Sequence, residues 1–245
     1  MEAKVTAVDV STLQSRVYES LRLALLRGNF VPGEPVSLRG LAEMLGTSAM
    51  PVREAVQRLV AEGALIQSAD RVIRVTPSSH EAYDEIIRVR ARIEGYATER
   101  AVRRITRELL ATLKRFNNEM RKTANKFDIE AAVVANYSFH FALYEAAASS
   151  ELLNIISGLW LRSGPMIATA RQNPKEARAM FLTGFNAHRR IIEAVEARDV
   201  AAARLAVGVD LRAASIWLKR HYSEPSVVPK TRRSSLLVQN NVPAS

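Results

Sequence analysis

The chain has 245 residues, of which 48% are hydrophobic and 24% charged, and its formal net charge is +10. This composition suits a globular protein with a sizeable core, and the absence of cysteine excludes disulfides and thiolate metal sites. No apolar run approaches the roughly 18 residues of a membrane span, and no signal-peptide pattern opens the chain. We therefore expect a cytoplasmic protein with no membrane partner.

The positive charge is unevenly distributed along the chain. Residues 1–77 carry a net charge of +1, residues 78–222 carry +7 and residues 223–245 carry +2. Such an excess suits a phosphate-bearing partner, a small anionic ligand or simply a solvated basic surface. Charge alone therefore does not identify a DNA-binding segment.

A flexible N-terminus (1–10) and a first domain (11–77) are predicted from the turn and apolar patterns. The predicted helices cover about 13–28, 37–46 and 48–63, and two short strands cover 64–77. Ser37 and Ser48 have side chains preferred at helix N-caps, and Pro51 falls in the first turn of the third helix. Two short helices, a tight corner and a hairpin are the pattern of a winged helix-turn-helix, although a helical pair within a larger core remains an alternative.

Three motifs carry a more specific resemblance. They are R-G-x-x-x-P-G-E over 27–34, L-A-E-x-L-G over 41–46 and P-V-R-E-A-V-x-R-L-x-x-E-G over 51–63. Together they resemble the winged helix of the GntR family of bacterial transcription regulators. That resemblance implies a double-stranded DNA operator as partner.

The resemblance also implies which residues approach the operator. The expected DNA-binding residues are Arg39, Ser48, Ala49, Met50 and Arg53, with Arg71 on the wing. Family members usually begin the recognition helix with Ser-Arg-Thr-Pro-Val-Arg, whereas this chain has alanine and methionine at the second and third positions. Because alanine cannot donate a hydrogen bond to guanine, we expect an altered operator sequence.

Residues 78–222 predict an all-α bundle of six or seven helices, and residues 223–245 predict a disordered tail. The expected helix breaks lie near Thr106, Asp128, Ser149–Ser150, Pro174 and Asp199. The predicted fold class is therefore mainly α, with an N-terminal winged helix-turn-helix and a C-terminal all-α helical bundle.

Two histidines in this bundle are candidate metal ligands. Asn136 and His140 are four residues apart and share one helix face, while His188 lies on another amphipathic helix. Imidazoles from different helices can meet inside a bundle and hold a metal. Packed or solvated histidines are the simpler alternative.

Three segments of this region resemble the FCD effector domain of the FadR subfamily: "VRARIEGYATERA", "NYSFHFALYEAA" and "HRRIIEAVEARDVAAARLAVGVD". Many FCD domains bind a divalent metal through Asp or Asn, a His four residues later and two further histidines. Asn136, His140 and His188 match the first three positions, and Asp210 occupies the fourth. The resemblance thus implies a divalent ion (Zn, Mn, Ni or Mg), although the aspartate also fits a domain that has lost its metal.

The same resemblance implies a small carboxylate effector, for which Arg90 and Arg162 are the candidate ligands. Arg90 also fits an i, i+4 salt bridge with Glu94. The leading hypothesis is a homodimeric, ligand-responsive transcriptional repressor rather than an enzyme. An effector-blind DNA-binding dimer and an all-α metal-dependent enzyme are the alternatives. The enzyme is disfavoured because no nucleophile–base pairing, phosphate loop or HExxH run is found.

Overall fold

The computed structural model describes residues 13–68 and 70–223. The N-terminal elements are α1 (Leu13–Leu26), α2 (Leu38–Met44), α3 (Ala49–Ala61), β1 (Leu65–Gln67) and β2 (Ile73–Val75). They are followed by α4 (His80–Val102), α5 (Arg107–Asn125), α6 (Ile129–Glu145), α7 (Ser150–Ser163), a 3-10 helix (Gly164–Ile167), α8 (Ala168–Gln172), α9 (Pro174–Glu196) and α10 (Val200–His221). The predicted N-terminus (1–10) and all but the first residue of the predicted tail lie outside the described residues.

The N-terminal elements form the predicted winged helix-turn-helix. The buried faces of α2 and α3 supply Leu41, Val52, Val56 and Leu59 to a shared core. Strands β1 and β2 pair antiparallel, with Leu65 opposite Val75. The connector before α2 adds hydrogen bonds along the other edge of β2, so the wing is held on both sides.

Capping side chains set most of the helix starts in the second domain. The hydroxyl or carboxylate at each N-cap accepts a hydrogen bond from the backbone N–H three residues on. This holds at Ser79, Thr106, Asp128, Ser149 and Asp199. In the first domain Ser37 caps α2 in the same way, whereas Ser48 precedes α3 without a side-chain cap bond. Its hydroxyl is therefore left for another partner.

The second domain is an all-α bundle of seven α-helices and the 3-10 helix within the described residues, as predicted. Helices α4 and α10 run antiparallel, since Asp84 pairs with Lys219 at one end and Glu99 with Arg204 at the other. Helices α5, α6 and α9 complete the layer behind them. Within the described chain, no helix combines the length and apolarity needed to traverse a bilayer.

The two domains touch through the end of α1 and the 3-10 helix. Gly164 approaches the backbone of Leu25 and Leu26 so closely that an added Cβ would lie 3.1 Å from a carbonyl oxygen. Gly28 has a positive φ of 66° and packs against Ile167. Arg171 donates hydrogen bonds to the Gly28 carbonyl, at 3.1 Å, and to Asn29 and Glu130. This junction ties the DNA-binding domain to the bundle.

Candidate operator-binding face and effector site

The predicted recognition residues form one exposed face at the start of α3. Ser48, Ala49, Met50 and Arg53 are all exposed, and Met50 retains 63% of its accessible surface. The opposite side of the helix is buried in the domain core. An apolar side chain as exposed as Met50 suits contact with a partner surface such as a base edge or a thymine methyl group.

Arg39 and Arg71 extend this face on two sides. Arg39 is exposed and pairs with Glu43 at 2.9 Å on the surface of α2. A solvent-exposed pair of this kind is worth less than about 1 kcal/mol, so a phosphate can displace Glu43. Arg71 occupies the tip of the wing with a φ of 63°, in the left-handed region where glycine is usual. Its side chain is exposed beyond both strands.

His140, His188 and Asp210 lie together in the bundle and are all buried. The Nε2 atoms of the two histidines are 3.2 Å apart. Asp210 Oδ2 lies 3.2 Å from His140 Nε2 and 3.8 Å from His188 Nε2. Helices α6, α9 and α10 thus bring two nitrogens and one oxygen to the corners of a small triangle.

The orientation of His140 is fixed by a hydrogen-bonded chain behind it. Its Nδ1 lies 3.0 Å from the hydroxyl of Tyr144, which itself donates to Glu94. Because the Tyr144 hydroxyl donates its hydrogen to Glu94, its oxygen can only accept from His140. The Nδ1 of His140 must therefore be the donor. In the neutral imidazole, Nε2 then carries the lone pair, and this atom faces Asp210 and His188.

His188 is held differently. Its ring stacks on Phe139 with centroids 3.8 Å apart, and its Nδ1 has no hydrogen-bond partner among the described residues. Burial lowers the pKa of His188 to about 3, so its imidazole is neutral at physiological pH. Neutral imidazole is the form that binds metals, but this ligand lacks the outer hydrogen bond that supports His140.

Arg90 forms a buried ion pair beside this triangle. Its Nε donates to Glu94 at 2.6 Å, and its NH1 group donates to Ser163. The guanidinium also stacks over Trp160, whose indole N–H donates to the same carboxylate. Although burial opposes its charge, Glu94 raises the pKa of Arg90. Both the predicted salt bridge and a position at the site are therefore present.

A cavity opens beside the triangle and is lined largely by apolar side chains. Its polar lining residues are Tyr83, Arg90, Asn136, Tyr137, His140, Trp160, Ser163 and Asp210. Three of the four predicted metal ligands, Asn136, His140 and Asp210, face this space, and His188 lies immediately behind it. Leu26 from α1 also lines the cavity, so the DNA-binding domain contributes to its wall.

Arg162 is placed elsewhere. It is exposed at the end of α7, and its side chain approaches Gly63 in the first domain. It does not line the cavity. Arg162 is therefore not among the side chains at this cavity, because the helix turns it away from the side that carries Trp160 and Ser163.

Three residues of the site were not singled out from the sequence: Tyr83, Tyr144 and Trp160. Tyr144 lies four residues after His140, and this spacing would have placed it on the histidine's face. Tyr83 lies seven residues before Arg90 on α4. Trp160 comes from a different helix, and no spacing in the chain relates it to Glu94.

Two family models match the chain. One described as "Bacterial regulatory proteins, gntR family" matches residues 13–75, and one described as "FCD domain" matches residues 85–213, more than half of the chain. The chain belongs to the GntR family and carries an FCD domain. As a GntR-family protein it is a DNA-binding transcriptional regulator rather than an enzyme, and this confirms the leading prediction of function class.

Relatives of known sequence and structure agree with this assignment. "HTH-type transcriptional regulator McbR" of Escherichia coli K12 is 32% identical over 68% of this chain and 76% of its own length. The "Probable D-xylose utilization operon transcriptional repressor" of Paenarthrobacter nicotinovorans is 27% identical over 81% of this chain and 85% of its own. The solved structure of E. coli McbR/YncC superposes with a TM-score of 0.80 at 28% identity, covering 87% of this chain and all of that one.

Proposed function

We propose that this GntR-family regulator is a cytoplasmic repressor whose FCD domain senses a small carboxylate through a bound divalent metal. The observation that carries the proposal is the buried triangle of His140, His188 and Asp210. It lies beside a cavity that also reaches the DNA-binding domain through Leu26. A ligand filling that cavity would bias the position of α1 and hence of the recognition helix.

The spacing of the three ligand atoms fits a metal ion. Metal bonds of about 2.1 Å at tetrahedral angles place neighbouring ligand atoms about 3.4 Å apart. The observed separations are 3.2, 3.2 and 3.8 Å. The orientation of His140 Nε2 toward the other two ligand atoms and the neutral state of His188 also match what a ligand needs. Two imidazoles and one carboxylate suit Zn, Mn or Ni, whereas Mg prefers oxygen donors.

The charges at the site favour an anionic effector. Asp210 contributes the negative charge among the three ligands, so a divalent ion would keep a net positive charge. When bound, the metal would supply open coordination positions for a carboxylate oxygen. Asn136, which lines the cavity one turn before His140, offers a further oxygen donor. Arg90 would orient the same carboxylate with the N–H groups that Glu94 and Ser163 leave free.

The test is metal content and operator affinity in matched histidine variants. His140→Ala and His188→Ala should each lower bound Mn or Zn, measured by elemental analysis after chelator-free purification. Basal operator binding should change little, because the winged helix has its own core. His221→Ala, at the end of α10 and away from the triangle, is the control. Wild-type protein without metal, and unaffected variants, would favour an effector-blind dimer instead.

We further propose that the functional unit is a homodimer joined through α4 and α10. These adjacent helices expose an apolar stripe composed of Val89, Tyr96, Leu205, Val209 and Ile216. Exposed apolar residues aligned on neighbouring helices are typical of a protein interface. A two-fold axis through this stripe would present two recognition helices to the half-sites of one palindrome.

A further inference from the structure

The positive charge of the helical bundle is concentrated in one segment. Residues 78–222 carry a net charge of +7, and residues 103–126 alone hold eight basic and two acidic residues, a net charge of +6. This segment consists of α5 and the turns at its two ends. The candidate effector site uses none of its side chains, so that site does not account for the charge.

The basic side chains of this segment form an outer face of α5. All eight are exposed: Arg103, Arg104, Arg107, Lys114, Arg115, Arg121, Lys122 and Lys126. Arg107, Lys114 and Arg121 recur every seven residues, which keeps them on one side of a helix about 28 Å long. The other side of the helix, which carries Leu113 and Met120, is buried in the bundle. We call the exposed side the basic face of α5.

Few of these charges are neutralised within the protein. Among the described residues, Lys114 pairs with Glu196 and Lys122 pairs with Glu119, and both pairs are exposed. None of the other six basic residues has a carboxylate of the described chain within salt-bridge distance. Exposed pairs are weak, so even the two paired lysines can exchange their partner for another anion.

Two of the unpaired arginines lie on aromatic rings. The guanidinium carbon of Arg115 is 4.2 Å from the centre of the Phe116 ring, and that of Arg121 is 4.8 Å from the centre of the Phe185 ring. A ring contact supports a guanidinium without neutralising its charge. These side chains are therefore held at the surface in a charged, uncompensated state.

The composition of the basic face favours a phosphate backbone over a protein or a membrane as its partner. Within the described chain, no large apolar side chain of α5 is among the exposed ones, whereas protein interfaces are anchored by aromatic and aliphatic side chains. A membrane-bound amphipathic helix inserts its apolar side into the bilayer, but that side of α5 is already packed in the bundle. Exposed Asn118 adds an amide of the kind that binds phosphate oxygens.

One end of the basic face adjoins the DNA-binding domain. Lys126 directly follows α5 and lies four residues before Glu130, which accepts a hydrogen bond from Arg171. Arg171 also bonds to Asn29 in the first domain. DNA that continues beyond a bound operator is therefore present at a high local concentration around the bundle.

We propose that the basic face of α5 binds the phosphate backbone of the duplex that flanks the operator. Contacts of this kind carry no sequence information but add affinity that falls steeply with salt concentration. The bundle would then contribute directly to operator occupancy. This role depends neither on the metal triangle nor on an effector.

The test measures the affinity of the full chain for a selected operator as a function of DNA length. The operator is placed in a duplex of about 20 base pairs, which holds two half-sites, and at the centre of one of about 60 base pairs. Fluorescence anisotropy at several salt concentrations gives the affinity and its salt slope, that is, the change in log affinity with log salt concentration. At low salt the wild-type protein should bind the longer duplex at least about fivefold more tightly and with a steeper slope.

A double variant removes two unpaired charges from the face. Arg121→Gln/Lys126→Gln should reduce the advantage of the longer duplex to within about twofold. It should also lower the salt slope on that duplex by about 1.8, since each phosphate contact contributes about 0.9. Binding to the short duplex should stay within about twofold of wild type, which also shows that the variant is folded. Arg190→Gln/Arg220→Gln, which removes the same charge from exposed positions of α9 and α10, is the control and should keep the full advantage.

Three results would overturn the proposal. One is a wild-type protein that binds the two duplexes equally, and another is an α5 variant that keeps the wild-type advantage, as expected if the face binds an acidic protein instead. The third is an equal loss in the α5 variant and the control variant, because the effect would then come from net charge and not from the basic face.

Discussion

The Nδ1 atom of His140 and the hydroxyl of Tyr144 lie 3.0 Å apart on adjacent turns of α6. The Tyr144 hydroxyl donates its own hydrogen bond to Glu94, so its oxygen can only accept from His140, and the Nδ1 of His140 carries a proton. Glu94 also holds Arg90 and Trp160. One buried carboxylate therefore orients both the histidine and the arginine of the candidate site.

Removing the Tyr144 hydroxyl should weaken metal binding. Tyr144→Phe keeps the ring but frees His140 to adopt the other tautomer, and loss of such an outer contact typically costs 10- to 100-fold in metal affinity. The measurement is a competition titration of Zn or Mn against a chromophoric chelator. Tyr18→Phe, which removes a tyrosine hydroxyl bonded to Glu62 in the first domain, is the control and should leave the affinity unchanged. Equal affinities in the two variants would show that Tyr144 does not position the histidine.

Operator binding should depend on Arg53. Arg53→Ala is expected to cost about 1–3 kcal/mol if the side chain reaches a base edge. A phosphate contact would instead weaken all sequences alike and reduce the salt dependence of binding. The check is fluorescence anisotropy on a selected operator at several salt concentrations, with the exposed Arg189→Ala as control. Wild-type affinity in the Arg53 variant would remove it from the DNA-binding face.

Ala49 should give this protein an operator preference of its own. Ala49 is exposed at the first position of α3, where alanine can touch a thymine methyl group but cannot donate to guanine. Ala49→Arg should therefore add a preference for guanine at one position in each half-site. Selection of binding sequences with both proteins would reveal this change, and identical selected sequences would contradict it.

The apolar stripe on α4 and α10 should hold the dimer together. Val209→Glu places a charge in its centre and should shift the protein toward the monomer, since an unpaired charge in an apolar interface is costly. Light scattering across a concentration series measures the shift. Ile155→Glu, at another exposed apolar position, on α7, should leave the dimer intact. An unchanged dimer in the Val209 variant would place the interface elsewhere.

Arg171 should couple the effector domain to the operator. It bonds to Gly28 and Asn29 at the end of α1, next to the segment that supplies Leu26 to the cavity wall. In Arg171→Ala, metal binding and operator binding should each persist, while the effect of metal loading on operator affinity should fall. Arg178→Ala removes a bond within the bundle, to Asn125, and is the control. Undiminished coupling in Arg171→Ala would exclude this junction as the route.

Much of the fold could be predicted from local patterns in the sequence. Thr106, Asp128 and Ser149 could be recognised as the starts of helices. Each side chain accepts a hydrogen bond from a backbone N–H only three residues later, so the signal is contained in a short stretch of sequence. The apolar spacing of α3 likewise separated Val52 and Leu59 in the core from Arg53 outside. The family motifs added a prediction of which helix approaches the operator.

The candidate effector site depends on contacts that no local pattern in the sequence contains. His140, His188 and Asp210 are separated by dozens of residues, and only the packing of α6, α9 and α10 brings their ligand atoms within 4.8 Å of one another. Arg162 shows the opposite case. It is close to Trp160 and Ser163 in sequence, yet its side chain is exposed and does not line the cavity. Side-chain spacing predicts the face of one helix, whereas a cavity is formed by the faces of several. The sequence by itself therefore determined the helices, most of their caps and the exposed face of α3, and tertiary packing alone decided which side chains meet in the bundle.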